Sequence, residues 1–254
     1  MYDKFSEFIK DKQHICVIQA ENPDGDSLGS ALALEEALAG KEVSLYCPVE
    51  IPKYMRYFSG WDRVEIDFAW RADAFIIVDT AATVLLSKLL EDPAIKNCLF
   101  NTPVFVIDHH ETEPDLEFPY ESIIEPMSSC CGLIYKILKD QKIAISKQCA
   151  EDLLYGLQSD TLGLTTASTT AEDFRIAADL LDCGCEIADM EETLKEELFI
   201  KTVIGVGTVS EHLRELADSY KEAQTAIDVG KVFDTERSII NYENLGIGRL
   251  IYQL

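Results

Sequence analysis

Asn22-Pro23-Asp24-Gly25-Asp26 stands between an apolar run at residues 15–18 and a helical run at residues 31–38, and its reading decides the fold. An apolar strand, a tight Asp-rich turn and a helix, in that order, open an α/β unit. Pro23 fixes its own φ and Gly25 permits a positive one, so the backbone can curl until Asp24 and Asp26 share one concave space. Two carboxylates so placed repel each other unless a cation lies between them. A turn at the carboxyl end of a strand is also where open α/β sheets bind ligands. The competing reading is an Asp-rich turn that caps the helix beginning near Ser27. The rest of the chain decides between the two.

Working outward, residues 2–9 have helical spacing and lead into a strand at 14–19, and the helix after the turn stops at Gly40. A second strand follows at 42–46, then a loop with a short helical piece over 48–61. Ala74-Phe75-Ile76-Ile77-Val78 is a continuous apolar run of the kind buried on both faces of a parallel sheet, and it ends on Asp79-Thr80. Pro103-Val104-Phe105-Val106-Ile107 repeats the pattern and runs into Asp108-His109-His110. A strand at 120–124 precedes a helix that Ser128 or Ser129 caps and that runs through Lys139. A helix over 147–157 delivers Ser159-Asp160-Thr161 into a turn at Gly163, and Thr169-Thr170 open a helix to Leu181. Alternating strands and helices predict an α/β fold with a doubly wound, mainly parallel sheet flanked by helices.

The pattern changes near Gly184. Residues 186–216 read as an acidic helical linker interrupted at Gly205-x-Gly207, residues 219–232 as two short strands, and 241–254 as an apolar end. The expected organisation is therefore a main domain over 1–185, a linker over 186–216 and a small, incomplete α/β region over 217–254. The apolar tail at 247–254 fits a homodimer contact or burial on the chain's own domain equally well.

Composition narrows the function classes. The 254 residues are 47% hydrophobic and 27% charged, as in a globular protein with a real core. No apolar run reaches membrane-spanning length and the charged start is no signal peptide, which predicts a cytoplasmic protein. Forty-six acidic against 22 basic residues give a net charge of -24, which opposes binding of long duplex DNA but leaves room for a short anionic substrate if metal ions neutralise the site. The eight Cys show no repeated Cys-x-x-Cys pattern and read as buried reduced thiols.

Asp24 and Asp26, Asp79, Asp108-His109-His110, and Asp160 thus stand at four strand or helix ends, all expected at one edge of one sheet. Two divalent ions about 3.5–4 Å apart need mostly oxygen ligands, a bridging carboxylate and an imidazole or two. Four carboxylates balance the four positive charges of two such ions. Carboxylates with imidazole suit Mn²⁺. Taken singly, Asp79 could be a turn residue, Asp160 a helix terminator and His109 a satisfied buried imidazole. Together, at successive strand ends, they favour a metal site.

The series Asn22-Pro23-Asp24-Gly25-Asp26-Ser27-Leu28-Gly29-Ser30, Val78-Asp79, Asp108-His109-His110 and Ser159-Asp160-Thr161 resembles the DHH phosphoesterase superfamily in order and spacing, over about the first 185 residues. It looks most like the nanoRNase and pAp phosphatase members. The resemblance implies a Mn²⁺-dependent phosphodiesterase or phosphatase with two ions, Mg²⁺ or Co²⁺ being alternatives, acting on short oligoribonucleotides or small nucleotides such as pAp. It implies that Asp24 ligates one ion and Asp26 the other, that Asp79 bridges both, and that His109 and Asp160 complete the second ion's shell. His110 would lie beside the substrate phosphate or orient the attacking water, Asp108 would hold the imidazoles in register, and a metal-activated hydroxide would attack phosphorus in line. Ser128 and Ser129 could offer backbone N–H groups to a phosphate, against simple capping of their helix.

Two departures from the family pattern stand out. The family's His three residues before the motif's Pro is replaced by Ala20, with Glu21 as a candidate substitute ligand. The family's C-terminal glycine-rich motif with a His has no counterpart after His212. A second enzyme reading is cyclic dinucleotide hydrolysis, and the two departures motivate a third from another class, a catalytically reduced protein that binds a nucleotide or a partner.

Overall fold

The computed structural model describes residues 2–185, 204–210, 212, 215–232 and 239–245, and its chain divides into two units, Met1–Met190 and Glu191–Leu254. In the first unit the elements run α1 (Asp3–Ile9), β1 (His14–Ile18), α2 (Gly25–Ala37), β2 (Glu42–Tyr46), β3 (Val64–Glu65), β4 (Ala74–Val78), α3 (Ser87–Leu90) and α4 (Pro93–Asn101). They continue with β5 (Val104–Asp108), β6 (Glu121–Ile124), α5 (Cys130–Asp140), α6 (Lys147–Thr161) and α7 (Ala171–Asp182). All six strands pair in parallel in the order β3-β2-β1-β4-β5-β6. The chain starts at the sheet's centre, winds outward to β3 and returns to β4. The switch point therefore lies between β1 and β4, where the loops leaving their carboxyl ends diverge and open a crevice.

Strand alternation builds two cores. Ala74, Ile76 and Val78 of β4 face the layer of α1, α2, α5, α6 and α7, whereas Phe75 and Ile77 face the side covered by α3 and α4. Every residue of β4 and of β5 is buried, which explains their unbroken apolar text. The layer of α2 and α6 packs closely because Gly29 and Gly156 stand at the crossing. A Cβ at Gly29 would lie 2.5 Å from the Asp152 carbonyl oxygen.

In the second unit β7 (Ile204–Val206) pairs in parallel with β8 (Ile239–Asn241), and α8 (Leu216–Val232) joins them. This corrects the two short strands expected over 219–232. Lys221, Glu222, Ala223 and Gln224 are strong helix formers that outweigh the β-branched Thr225, Ile227 and Val229. Ala226 and Val229, one turn apart, make the buried stripe of this helix. Ile204–Val206 is likewise a strand where helix was expected. The remainder of the expected acidic linker, residues 186–203, and the apolar tail at 247–254 lie outside the described residues. Among the described residues no helix is long and apolar enough to cross a membrane.

Candidate metal centre

The Asp24 turn leads directly into α2, with Asp24 as its N-cap. Asp24 Oδ1 accepts from the Ser27 N–H (2.9 Å), and the Ser27 hydroxyl accepts in return from the Asp24 N–H (3.0 Å). The capping reading of the turn is therefore correct for Asp24, whose side chain is otherwise exposed. Gly25 does not adopt the positive φ that its sequence context suggested. Its lack of a side chain serves close approach instead, since a Cβ there would meet Ser159 Oγ at 2.5 Å. That contact brings the last turn of α6, with Asp160, against the turn.

Asp26 is fully buried in the first turn of α2. Its carboxylate accepts from the N–H groups of Cys130 and Cys131 (2.9 Å for Cys131), at the start of α5. Two amides of a helix start are a favourable seat for a carboxylate. They neighbour the Ser128 and Ser129 N–H groups that the sequence offered to a substrate phosphate. Ser129 caps the same helix by accepting from the Gly132 N–H (3.0 Å), and the Ser128 hydroxyl donates to Asp173. Both serines thus make structural bonds, and the first amides of α5 are taken by protein oxygens.

Asp79 ends β4 with φ +65°, a left-handed conformation rare outside glycine, with a cost of about 1–3 kcal/mol that the surrounding structure must offset. His109 follows β5. Its Nδ1 donates to the Met127 carbonyl (3.0 Å), which leaves Nε2 facing three carboxylates: Asp79 Oδ1 at 3.2 Å, Asp160 Oδ2 at 3.5 Å and Asp26 Oδ2 at 3.7 Å. His110, half exposed, has its Nδ1 2.7 Å from Asp108 Oδ1, and Asp108 is buried beneath it. The four strand and helix ends therefore converge, and carbonyl and carboxylate contacts orient both imidazoles. The Met127 carbonyl had no signal in the sequence, because a backbone acceptor carries no residue type.

The electrostatics are those of crowded charge. Burial and the charge of Asp26 push Asp79 well above the usual carboxylate range. Burial, then Asp26 and Asp24, push Asp160 up to about 7. Asp26 is raised by burial despite its backbone donors and the nearby His109. Burial alone would lower His109, but Asp79 and Asp26 raise it to about 10. Burial would raise Asp108, yet the side-chain and backbone N–H groups of His110 hold it below its ordinary value.

Two overlapping sets could hold a cation: Asp79, His109 and His110, and Asp26, His109 and Asp160, each with ligand atoms within 4.8 Å of one another. Asp79 Oδ1 and His109 Nε2 are buried without a hydrogen-bond partner. A hard divalent cation fits this donor set of carboxylates and imidazoles and would satisfy both orphaned atoms. Glu21 belongs to neither set. Its carboxylate accepts from the Ser87 hydroxyl (2.9 Å) and the Lys88 N–H (2.7 Å), because the start of α3 offers donors that a carboxylate prefers to a crowd of like charges. Glu21 thus turns away from the place left by Ala20, and beside that place the fully buried side-chain amide of Gln19 has no hydrogen-bond partner.

Comparison with known proteins gives a match of residues 14–157 to the N-terminal domain of the DHH family and of residues 137–229 to a GGDEF-like domain. The bifunctional oligoribonuclease and PAP phosphatase NrnA of Thermus thermophilus is 26% identical over 175 residues, covering 68% of this chain and 51% of the relative. The chain thus spans about half the length of that protein. A probable manganese-dependent inorganic pyrophosphatase of Streptococcus agalactiae is 28% identical over 228 residues, covering 86% of this chain and 70% of the relative. The crystal structure of an exopolyphosphatase-related protein from Bacteroides fragilis shares the fold, with a TM-score of 0.70 at 22% identity over 91% of this chain and 64% of that one. Since residues 14–157 are more than half of the chain and contain the Asp24, Asp79 and Asp108 motifs that meet at the switch point, the chain belongs to the DHH family.

Proposed function

We propose that this protein is a Mn²⁺-dependent phosphoesterase acting on short oligoribonucleotides or small nucleotides such as pAp. The observation that carries the reading is that Asp79 Oδ1 and His109 Nε2, both buried and 3.2 Å apart within a ring of carboxylates, complete no hydrogen bond. Asp26, Asp79, His109 and Asp160 would hold the ions, with Asp24 free to add its second oxygen while Oδ1 caps α2. Bound ions at such a site polarise phosphoryl oxygens and make water a stronger nucleophile at neutral pH. Asp108 holds the His110 Nδ1–H, which leaves Nε2 of this half-exposed ring to take or give a proton beside the substrate phosphate.

The substrate class is argued from charge and from kinship. A net charge of -24 disfavours long nucleic acid, and the relatives are named for action on oligoribonucleotides, PAP and inorganic pyrophosphate. The second unit, with its β7-α8-β8 core, would belong to a substrate-binding region. A catalytically reduced binding protein is the alternative that one observation favours: Glu21 is committed to α3, so it does not replace the imidazole absent at Ala20.

Calorimetric titration of the metal-free protein with Mn²⁺, followed by assay of pNpN, pAp, a cyclic dinucleotide and pyrophosphate, tests the proposal. Two ions per chain and turnover of pNpN or pAp, lost in Asp79→Ala with the fold intact, are expected. Retained turnover in Asp79→Ala would refute the assignment of the site, and faster turnover of pyrophosphate or of the cyclic substrate would refute the substrate class. Mn²⁺ uptake without turnover of any of the four would leave the binding protein as the better reading.

A further inference from the structure

We infer that Asp173 is a positioning residue for His109, acting through Ser128 and the Met127–Ser128 peptide. Asp173 lies in the first turn of α7, 1% exposed. Its two oxygens serve different parts of the chain. Oδ2 accepts from the Thr170 N–H (2.6 Å) and the Thr170 hydroxyl (2.8 Å) and closes the capping box of α7. Capping needs nothing more. Oδ1 accepts instead from the Ser128 hydroxyl, 45 residues earlier in the chain.

Ser128 follows the residue that holds His109. The Met127 carbonyl accepts from His109 Nδ1 (3.0 Å), and the Met127 N–H donates to the His109 carbonyl (3.3 Å). The Met127 carbonyl and the Ser128 N–H belong to one rigid peptide plane. With the Ser128 side chain pinned on a buried carboxylate, that plane resists rotation and its oxygen stays aimed at Nδ1. The bond is charge-assisted and both partners are buried, so water does not compete for it. Held at Nδ1, the imidazole presents Nε2 to Asp79, Asp160 and Asp26. Released, the ring could turn about its own side-chain bonds and Nε2 would leave the carboxylates. The start of α7 thus sets the aim of an imidazole on the far side of a loop.

Ser128→Ala tests this on the full chain, because it removes the donor and leaves the Thr170–Asp173 box in place, while Ser128→Thr restores a hydroxyl. In the metal-free protein, ¹⁵N-edited NMR reads the His109 Nδ1–H proton. It is expected to exchange slowly in the parent and in Ser128→Thr, and to be lost to fast exchange in Ser128→Ala. Mn²⁺ affinity, read by calorimetry, is expected to fall about tenfold in Ser128→Ala and to recover in Ser128→Thr. The affinity readout rests on the proposed Mn²⁺ site. The proton readout does not, so a parent that takes up no Mn²⁺ still decides the positioning role. A protected Nδ1–H in folded Ser128→Ala overturns the inference, as does a lowered melting temperature with the proton unchanged. Should Ser128→Ala fail to fold, Ser128→Cys, nearly isosteric but weakly donating, is read in the same way.

Discussion

Asp152→Asn should make the protein more stable at alkaline pH and leave it unchanged in acid. Asp152 lies on α6, fully buried, with Oδ1 accepting from Gln148 Nε2 at 3.2 Å and Oδ2 without a partner. Burial, reinforced by Glu36 and Glu151 and opposed by Arg63, raises its pKa from 3.8 to about 8. The unfolded chain therefore releases this proton near pH 4, while the folded chain keeps it to about pH 8. The stability that the protonated side chain permits is fully present below pH 4, falls by about 1.4 kcal/mol per pH unit as pH rises, and levels off above about pH 8. The total loss is at most about 6 kcal/mol, and between about pH 5.5 and 8 it is about 3 kcal/mol. Asparagine keeps the oxygen for Gln148 and carries no titrating proton, so the variant should escape this loss. Urea melts of parent and variant, followed by fluorescence, give the difference directly. Both tryptophans, Trp61 and Trp70, lie in Met1–Met190 and so report on the unit that contains Asp152. An advantage of Asp152→Asn that grows by about 3 kcal/mol over that pH range is expected. A gap that stays constant with pH would refute the reasoning and mean that Asp152 is ionised in the native state.

Three further outcomes follow from the geometry. Glu21→Ala should leave the number of Mn²⁺ ions in a calorimetric titration unchanged, because Glu21 faces α3; loss of one ion would show that it turns inward on loading. Gly29→Ala should cost about 1–3 kcal/mol in a urea melt, since its Cβ would meet the Asp152 backbone oxygen at 2.5 Å and backbone cannot step aside as a side chain can. Mn²⁺ affinity should rise with pH between about 6 and 9, with protons released on binding, because His109, held to about 10, and Asp160, held to about 7, must give up protons to act as ligands. Affinity independent of pH would remove these two from the ligand set.

Much of the fold was legible because parallel strands buried on both faces write unbroken apolar runs. Val78-Asp79 and Ile107-Asp108-His109-His110 each show where such a run meets polar chemistry, and an α/β alternation puts those ends at one sheet edge. The second unit was less legible: in 219–232 helix-forming and β-branched residues compete, and the helix that the former favour also buries Ala226 and Val229. The candidate site divides in the same way. Residue type and order alone pointed to Asp24, Asp26, Asp79, His109, His110 and Asp160, since few other groupings put so many carboxylates and two adjacent imidazoles at element ends. Tertiary structure decided what each side chain touches. It turned Glu21 to α3, seated Asp26 on the Cys130 and Cys131 amides that open α5, and made Gly25 a point of contact with Ser159 rather than a left-handed hinge. The physical reason is the same in each case. A backbone N–H or C=O is carried by every residue except proline's missing N–H, so its position in space, and the competition among side chains for it, is not written in the order of residues.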